Sequence, residues 1–237
     1  MRLLQICLAL FCASTLVSFA ADAPALKKDD KIIMLGDSIT QGGGNPQNEQ
    51  DKNSKGYVVL FQKAMDEKHK DLEIKVINKG ISGNKVSDLQ RRLQKDVLDL
   101  KPNVVYIYIG INDVWHWDLG GNHKGTTKEE FESGLKDIIG KIKGVGGRVI
   151  LCTPSVIGEK TDGSNKQDKM LAEYADISRK VAKDEGLTLC DLNKAFMDYL
   201  KENNKDNKEK GVLTGDRVHL NEAGNKLVEE TMLKALE

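Results

Sequence analysis

Apolar positions along the chain follow two alternating rhythms. Lys31–Gly36 (KIIMLG), Glu73–Asn78 (EIKVIN), Asn103–Gly110 (NVVYIYIG), Arg148–Cys152 (RVILC) and Leu187–Cys190 (LTLC) are short apolar runs, and each predicts a strand. Between them the spacing changes to steps of three and four. Residues 85–100 place Val86, Leu89, Leu93, Val97 and Leu100 on one helical face, and Pro102 stops that helix. Residues 127–143 do the same with Phe131, Leu135, Ile138, Ile139 and Ile142. Residues 56–70 and 166–185 also read as helices, a short helix follows Cys190, and Asn221 is a plausible N-cap for a last helix over residues 222–236. Asn103–Gly110 is continuously apolar, as a strand covered on both faces must be. Repeated strand–helix alternation predicts an α/β fold, a parallel sheet with helices on both faces.

Two polar stretches interrupt this pattern, residues 42–55 (GGGNPQNEQDKNSK) and 201–210 (KENNKDNKEK), and both read as solvated loops. The first 20 residues stand apart. Fifteen of them are apolar, the only charge is Arg2, and Ser18 and Ala20 flank a cut after Ala20. This is the pattern of a secretory signal peptide, so the expectation is a secreted or periplasmic protein whose domain spans residues 21–237. The alternative is an uncleaved anchor, but the apolar run is short and is broken by Ser14, Thr15 and Ser18. No later stretch approaches the roughly 20 apolar residues of a membrane helix, so no membrane association is expected after cleavage.

The whole chain carries 36 basic and 36 acidic residues in 237. That balance argues against a nucleic-acid partner, which selects a basic excess. Cys7 and Cys12 leave with the leader. Cys152 and Cys190 both end apolar runs, and a domain of this size needs no staple, so two buried thiols are expected in preference to a disulfide.

Candidate chemistry gathers at the strand ends, where sites form in open α/β sheets. Ser38, in Gly36-Asp37-Ser38-Ile39-Thr40, follows the first strand; it is either an exposed nucleophile at a helix start or simply an N-cap. Asp216 precedes His219 by three residues, so a carboxylate can fix the tautomer of a base within one turn; the same spacing suits a surface ion pair. Asn112, in Gly110-Ile111-Asn112-Asp113, can donate its amide to an oxyanion, and Gly83 lets a backbone N–H approach the same point. Taken singly each is an ordinary turn, but nucleophile, base, acid and two donors together are hard to assemble by chance. Asp113 and Asp37 are read as bracing their turns.

Four ordered blocks, GDSIT, NKGISGN, GIND and DRVHLN, resemble those of the SGNH hydrolases, also called the GDSL esterase/lipase family. The resemblance spans most of the chain beyond the leader. It implies a flavodoxin-like, three-layer α/β/α fold with five parallel strands. It also implies Ser38 as nucleophile, His219 as base, Asp216 as its acidic partner, and Ser38, Gly83 and Asn112 as oxyanion donors. Ile39 stands where the family name has Leu, a common departure. The run from NKGISGN to IGINDVWHW is further similar to SGNH acetylxylan esterases, which implies an O-acetyl ester on a carbohydrate as substrate. Some such relatives form oligomers, so a homo-oligomer is one expectation, though no interface is readable.

Trp115 and His116 follow Asn112 and are candidate substrate contacts; packing of their own loop is the alternative. His116 and His123 lie in one loop without a clear third ligand, so no metal is expected, and no cofactor. The rival functions are a lysophospholipase- or thioesterase-like lipid acyl hydrolase, against which the polar, Lys-rich loops argue, and a carbohydrate-binding module without activity. The absence of a dinucleotide fingerprint or phosphate loop speaks against a nucleotide enzyme.

Overall fold

The structure, a computed structural model, describes residues 25–121 and 124–237. The leader, with Cys7 and Cys12, and His123 lie outside the described residues. Five strands, β1 (Lys31–Gly36), β2 (Lys75–Gly80), β3 (Val104–Tyr108), β4 (Arg148–Cys152) and β5 (Thr188–Cys190), form one sheet in the order β2-β1-β3-β4-β5. Every pairing is parallel. Helices α3 (Val86–Asp96), α5 (Lys128–Gly144) and α6 (Asp168–Asp184) pack side by side as one layer. The other layer holds α2 (Tyr57–Lys68), α7 (Leu192–Asn203) and α8 (Glu222–Leu236). Two short helices, α1 (Ser38–Gly42) and α4 (Ile111–Trp115), follow β1 and β3 directly. This is the expected three-layer α/β/α architecture.

The sandwich explains why the central strands are apolar without alternation. Ile32, Ile33, Met34 and Leu35 of β1 and Val104 to Tyr108 of β3 are all buried, because each face of the sheet meets a helix. Each such side chain contributes about 1.5–3 kcal/mol. The predicted helical stripes supply the covering surface, with Phe131, Leu135, Ile138, Ile139 and Ile142 all buried. Two core phenols find partners: Tyr106 donates to the Met232 carbonyl at 2.8 Å and Tyr108 to Ser155 Oγ at 2.7 Å. Burial pushes both phenols well above their usual range.

Several boundaries move from their predicted positions. The second strand begins at Lys75 rather than Glu73, because Glu73 takes a left-handed conformation (φ 50°) after a 3-10 turn over Lys70–Leu72. The helix predicted to end at residue 100 breaks at Val97 and finishes as a 3-10 turn, Leu98–Leu100. The helix after Cys190 is twelve residues long rather than short. The last helix and its cap stand as expected, Asn221 accepting the Gly224 N–H at 3.0 Å. Cys152 and Cys190 occupy paired positions on β4 and β5, buried and free, and burial raises the Cys152 thiol.

Buried or half-buried amides help tie down both polar stretches. Asn78 donates to the carbonyls of Thr40 (2.6 Å) and Gly44 (2.7 Å), holding the segment after α1 against β2. Asn204, buried, donates to the carbonyls of Glu159 and Lys208 and accepts the Lys208 N–H. Short polar side chains can substitute for a backbone ladder in this way.

Candidate active site

Ser38, Gly83 and Asn112 stand at the carboxyl ends of three adjacent strands, β1, β2 and β3. The turn after β1 is crowded. A Cβ on Gly36 would lie 2.0 Å from Thr40 Oγ1 and 2.6 Å from the Tyr108 carbonyl, so only glycine fits. Asp37 then caps α1, its Oδ1 accepting the Ile39 N–H at 2.9 Å. The cap is therefore Asp37 and not Ser38, which leaves the serine hydroxyl unspent at the first helical position. Asp37 is buried, and burial pushes its carboxyl up to about 7, with Asp113 adding to the rise and His219 opposing it.

His219 Nε2 lies 2.9 Å from Ser38 Oγ, and its Nδ1 lies 2.7 Å from Asp216 Oδ2. The other Asp216 oxygen accepts the backbone N–H groups of Val218 (3.1 Å) and His219 (2.8 Å). Burial alone would raise the Asp216 carboxyl, but the bonds from the His219 ring and these two amides outweigh it and hold it below the usual carboxylate range. Arg217 adopts φ 90° between the two, a strained conformation for a residue with a side chain. It is held there by an ion pair to Glu209 (2.9 Å) and by its carbonyl, which accepts the Gly158 N–H at 2.8 Å.

The loop carrying this pair is anchored by a buried carboxylate as well as by the buried Leu213 and Val218. Glu159, fully buried beyond β4, accepts the N–H groups of Val212 (2.8 Å), Leu213 (2.7 Å) and Thr214 (2.5 Å) and the Thr214 hydroxyl (2.8 Å). Thr214 pairs with Leu220 across the loop, and Gly215 donates to the His219 carbonyl at 2.8 Å, so Asp216 to His219 form its tip. Sequence reasoning did not find Glu159. It sits 57 residues from Asp216 in a segment with no periodicity, and only its complete burial marks it.

On the other side, Asn112 is buried on α4, and its Nδ2 donates to the Asn84 carbonyl at 3.0 Å. An amide has two N–H donors, so one bond leaves the other to act. Asp113 next to it is also buried; its Oδ1 accepts the Val86 N–H at 3.1 Å, and burial pushes its carboxyl up to about 6. It braces the α3 start against the α4 loop, as the sequence suggests. Gly83 is exposed with φ 76°, and a Cβ there would meet nothing within 4 Å. Trp115 and His116 end α4, both half-buried, with Trp115 packed against the core. Trp117 is the more open indole, 40% exposed, its Nε1 donating to the Thr126 carbonyl at 3.4 Å. Among the described residues no three His, Cys, Asp or Glu side chains gather as a metal-ligand set, and no helix is long and apolar enough to cross a membrane.

A hydroxyl, imidazole and carboxylate in line, with amide donors on the neighbouring strand ends, can transfer an acyl group through a covalent intermediate. Comparison with known proteins identifies the class of reaction as ester hydrolysis. Residues 34–227 match the model of the GDSL-like lipase/acylhydrolase family. An acetylxylan esterase of Geobacillus stearothermophilus is 33% identical over 215 residues, covering 87% of this chain and 94% of that protein. A crystal structure of the acetyl xylan esterase AlAXEase superposes with a TM-score of 0.80 at 42% identity, over 87% of this chain and all of that one. The structure of Axe2, an acetylxylan esterase from Geobacillus stearothermophilus, follows at a TM-score of 0.78 and 30% identity, over 89% of this chain and 95% of that one. The chain belongs to the GDSL-like lipase/acylhydrolase family and is a carboxylic ester hydrolase.

Proposed function

We propose that this enzyme removes O-acetyl groups from carbohydrate, with acetylated xylo-oligosaccharides as the first substrate to try, and that Ser38, His219 and Asp216 carry the chemistry. One observation bears most of the weight: the unbroken chain Ser38 Oγ–His219 Nε2 (2.9 Å) and His219 Nδ1–Asp216 Oδ2 (2.7 Å). The relatives named as acetylxylan esterases support the substrate class. Two Axe2 structures described as catalytic mutants carry a serine-to-alanine and an aspartate-to-alanine change, the residue types of Ser38 and Asp216.

Ser38 Oγ attacks the ester carbonyl as His219 Nε2 takes its proton, and Asp216 stabilises the resulting imidazolium. The backbone N–H groups of Ser38 and Gly83 and the second amide N–H of Asn112 receive the charge that develops on the carbonyl oxygen. His219 returns the proton to the departing sugar hydroxyl. It then takes a proton from water, which attacks the acetyl-enzyme, and passes that proton to Ser38 Oγ as the ester bond breaks and acetate leaves. Trp115 and His116 contribute to the wall next to the oxyanion donors. Residues 1–20 act as a leader that sends a single catalytic domain out of the cytoplasm.

Acetate release from acetylated xylo-oligosaccharides by residues 21–237, with Ser38→Ala alongside, tests the reading. Release by the parent, and a fall of at least about 10⁴-fold in the variant, is the expected result. Equal release by both rejects Ser38 as nucleophile. Release only from longer acyl esters moves the substrate to the lipid class.

A further inference from the structure

Arg92 belongs to none of the four sequence blocks, yet its guanidinium binds the strand-end segments that carry Ser38 and Gly83 and, through Asn84, is linked to the one that carries Asn112. It projects from α3 with only 15% of its side chain exposed. Nη2 donates to the carbonyls of Gly36 (2.8 Å) and Lys79 (2.9 Å), the last turns of β1 and β2 before Ser38 and Gly83. Nε donates to Asn84 Oδ1 at 2.7 Å, and the Asn84 carbonyl is the acceptor that holds Asn112 Nδ2 at 3.0 Å. Nη1 pairs with Asp96 at 2.8 Å, and Asp96 in turn lies 3.6 Å from Lys79 Nζ. Four of the five guanidinium donors are thus engaged, and three of those bonds end on the supports of the oxyanion site.

We propose that Arg92 is a positioning residue for the oxyanion site. Through Asn84 it aims the Asn112 amide, and through Gly36 and Lys79 it fixes the two strand ends against which that amide must align. The fork geometry is the reason for arginine. A lysine at this position is a single point of charge and cannot hold two carbonyls and an amide oxygen in one plane. The polar contacts of α3 otherwise resemble those of any solvated helix face, which is why the role is visible only in three dimensions. An oxyanion donor displaced by about 1 Å loses a large part of its effect on the rate while substrate binding is little changed.

The inference rests on Asn112 being an oxyanion donor, so the experiment separates the two. Arg92→Lys, Asn112→Ala and the double variant are assayed for kcat and KM, with thermal unfolding to verify that each is folded. Arg92→Lys is expected to lower kcat about 10–100-fold with KM within about twofold, and to cost several-fold less in the Asn112→Ala background than in the parent. Unchanged kcat in Arg92→Lys, or an equal loss in both backgrounds, overturns the inference while leaving Asn112 in place. Unchanged kcat in Asn112→Ala removes the reading of the site on which it stands. If Arg92→Lys does not fold, Asn84→Ala replaces it, since this variant cuts the Arg92 link but keeps the carbonyl that Asn112 uses; the same non-additivity with Asn112→Ala is then required.

Discussion

The two halves of the site are built in opposite ways. Asn112 and the turn holding Ser38 stand on the ends of interior strands, with Asn112 only 4% exposed. Asp216 and His219 hang on a loop outside the sheet, their side chains 54% and 44% exposed. Sheet register alone brings the first half near its place, because β1, β2 and β3 are hydrogen-bonded neighbours. The second half owes nothing to sheet register, although Leu213 and Val218 of its loop are buried in the core. Its position depends on Glu159, one buried carboxylate satisfied by three backbone amides and a hydroxyl, and on a strained Arg217. The proposed nucleophile, placed by the fold, and the proposed base, placed by a tethered loop, are vulnerable to different changes.

The strongest test of the buried half is Asn112→Ala. Losing one oxyanion donor should lower kcat by about 10²–10³ with KM nearly unchanged. A loss confined to KM would place Asn112 in substrate binding instead. The tethered half is probed by Glu159→Gln, in which one carboxylate oxygen becomes an amide N–H facing either the Val212 N–H or the donors of Leu213 and Thr214. Leaving such a buried group unsatisfied costs about 1–3 kcal/mol. The expected outcome is a lowered melting temperature together with a kcat loss of about 10–100-fold, since a displaced His219 no longer meets Ser38. Full activity in this variant would show that the loop is held by its other contacts. The smallest effect concerns Asp113, which ionises near 6 in the fold against an ordinary value of 3.8. Between those values the folded protein holds the extra proton, so this group's contribution to stability is full below about 3.8 and is lost as pH rises toward 6. Asp113→Asn keeps the acceptor for Val86 but cannot titrate. The melting-temperature difference, parent minus variant, should therefore fall from pH 4 to pH 6; a constant difference contradicts the buried-acid account.

Much of this was legible in the chain before any coordinates. The strand and helix alternation, the order of the four blocks and the three-residue step from Asp216 to His219 are local patterns, and local patterns survive folding. What stayed hidden depends on distant partners or short elements. Helices α1 and α4 have five residues each, too few to show a period. Ser38 and Asp37 are equally good caps by composition, and only geometry assigns the cap to Asp37. The tie of Asn204 to the Glu159 carbonyl spans 45 residues, so residues 201–210 read as plain loop. Arg92 and Glu159 look like ordinary surface charges until their burial is known.

The central claim is that His219 activates Ser38 for covalent attack. Treatment of the enzyme with a fluorophosphonate, followed by peptide mapping, tests it most directly. The account predicts a single adduct on the peptide containing Ser38, formed at least about 10³-fold more slowly in His219→Ala. An adduct on another residue, or equal labelling of the parent and His219→Ala, would contradict it.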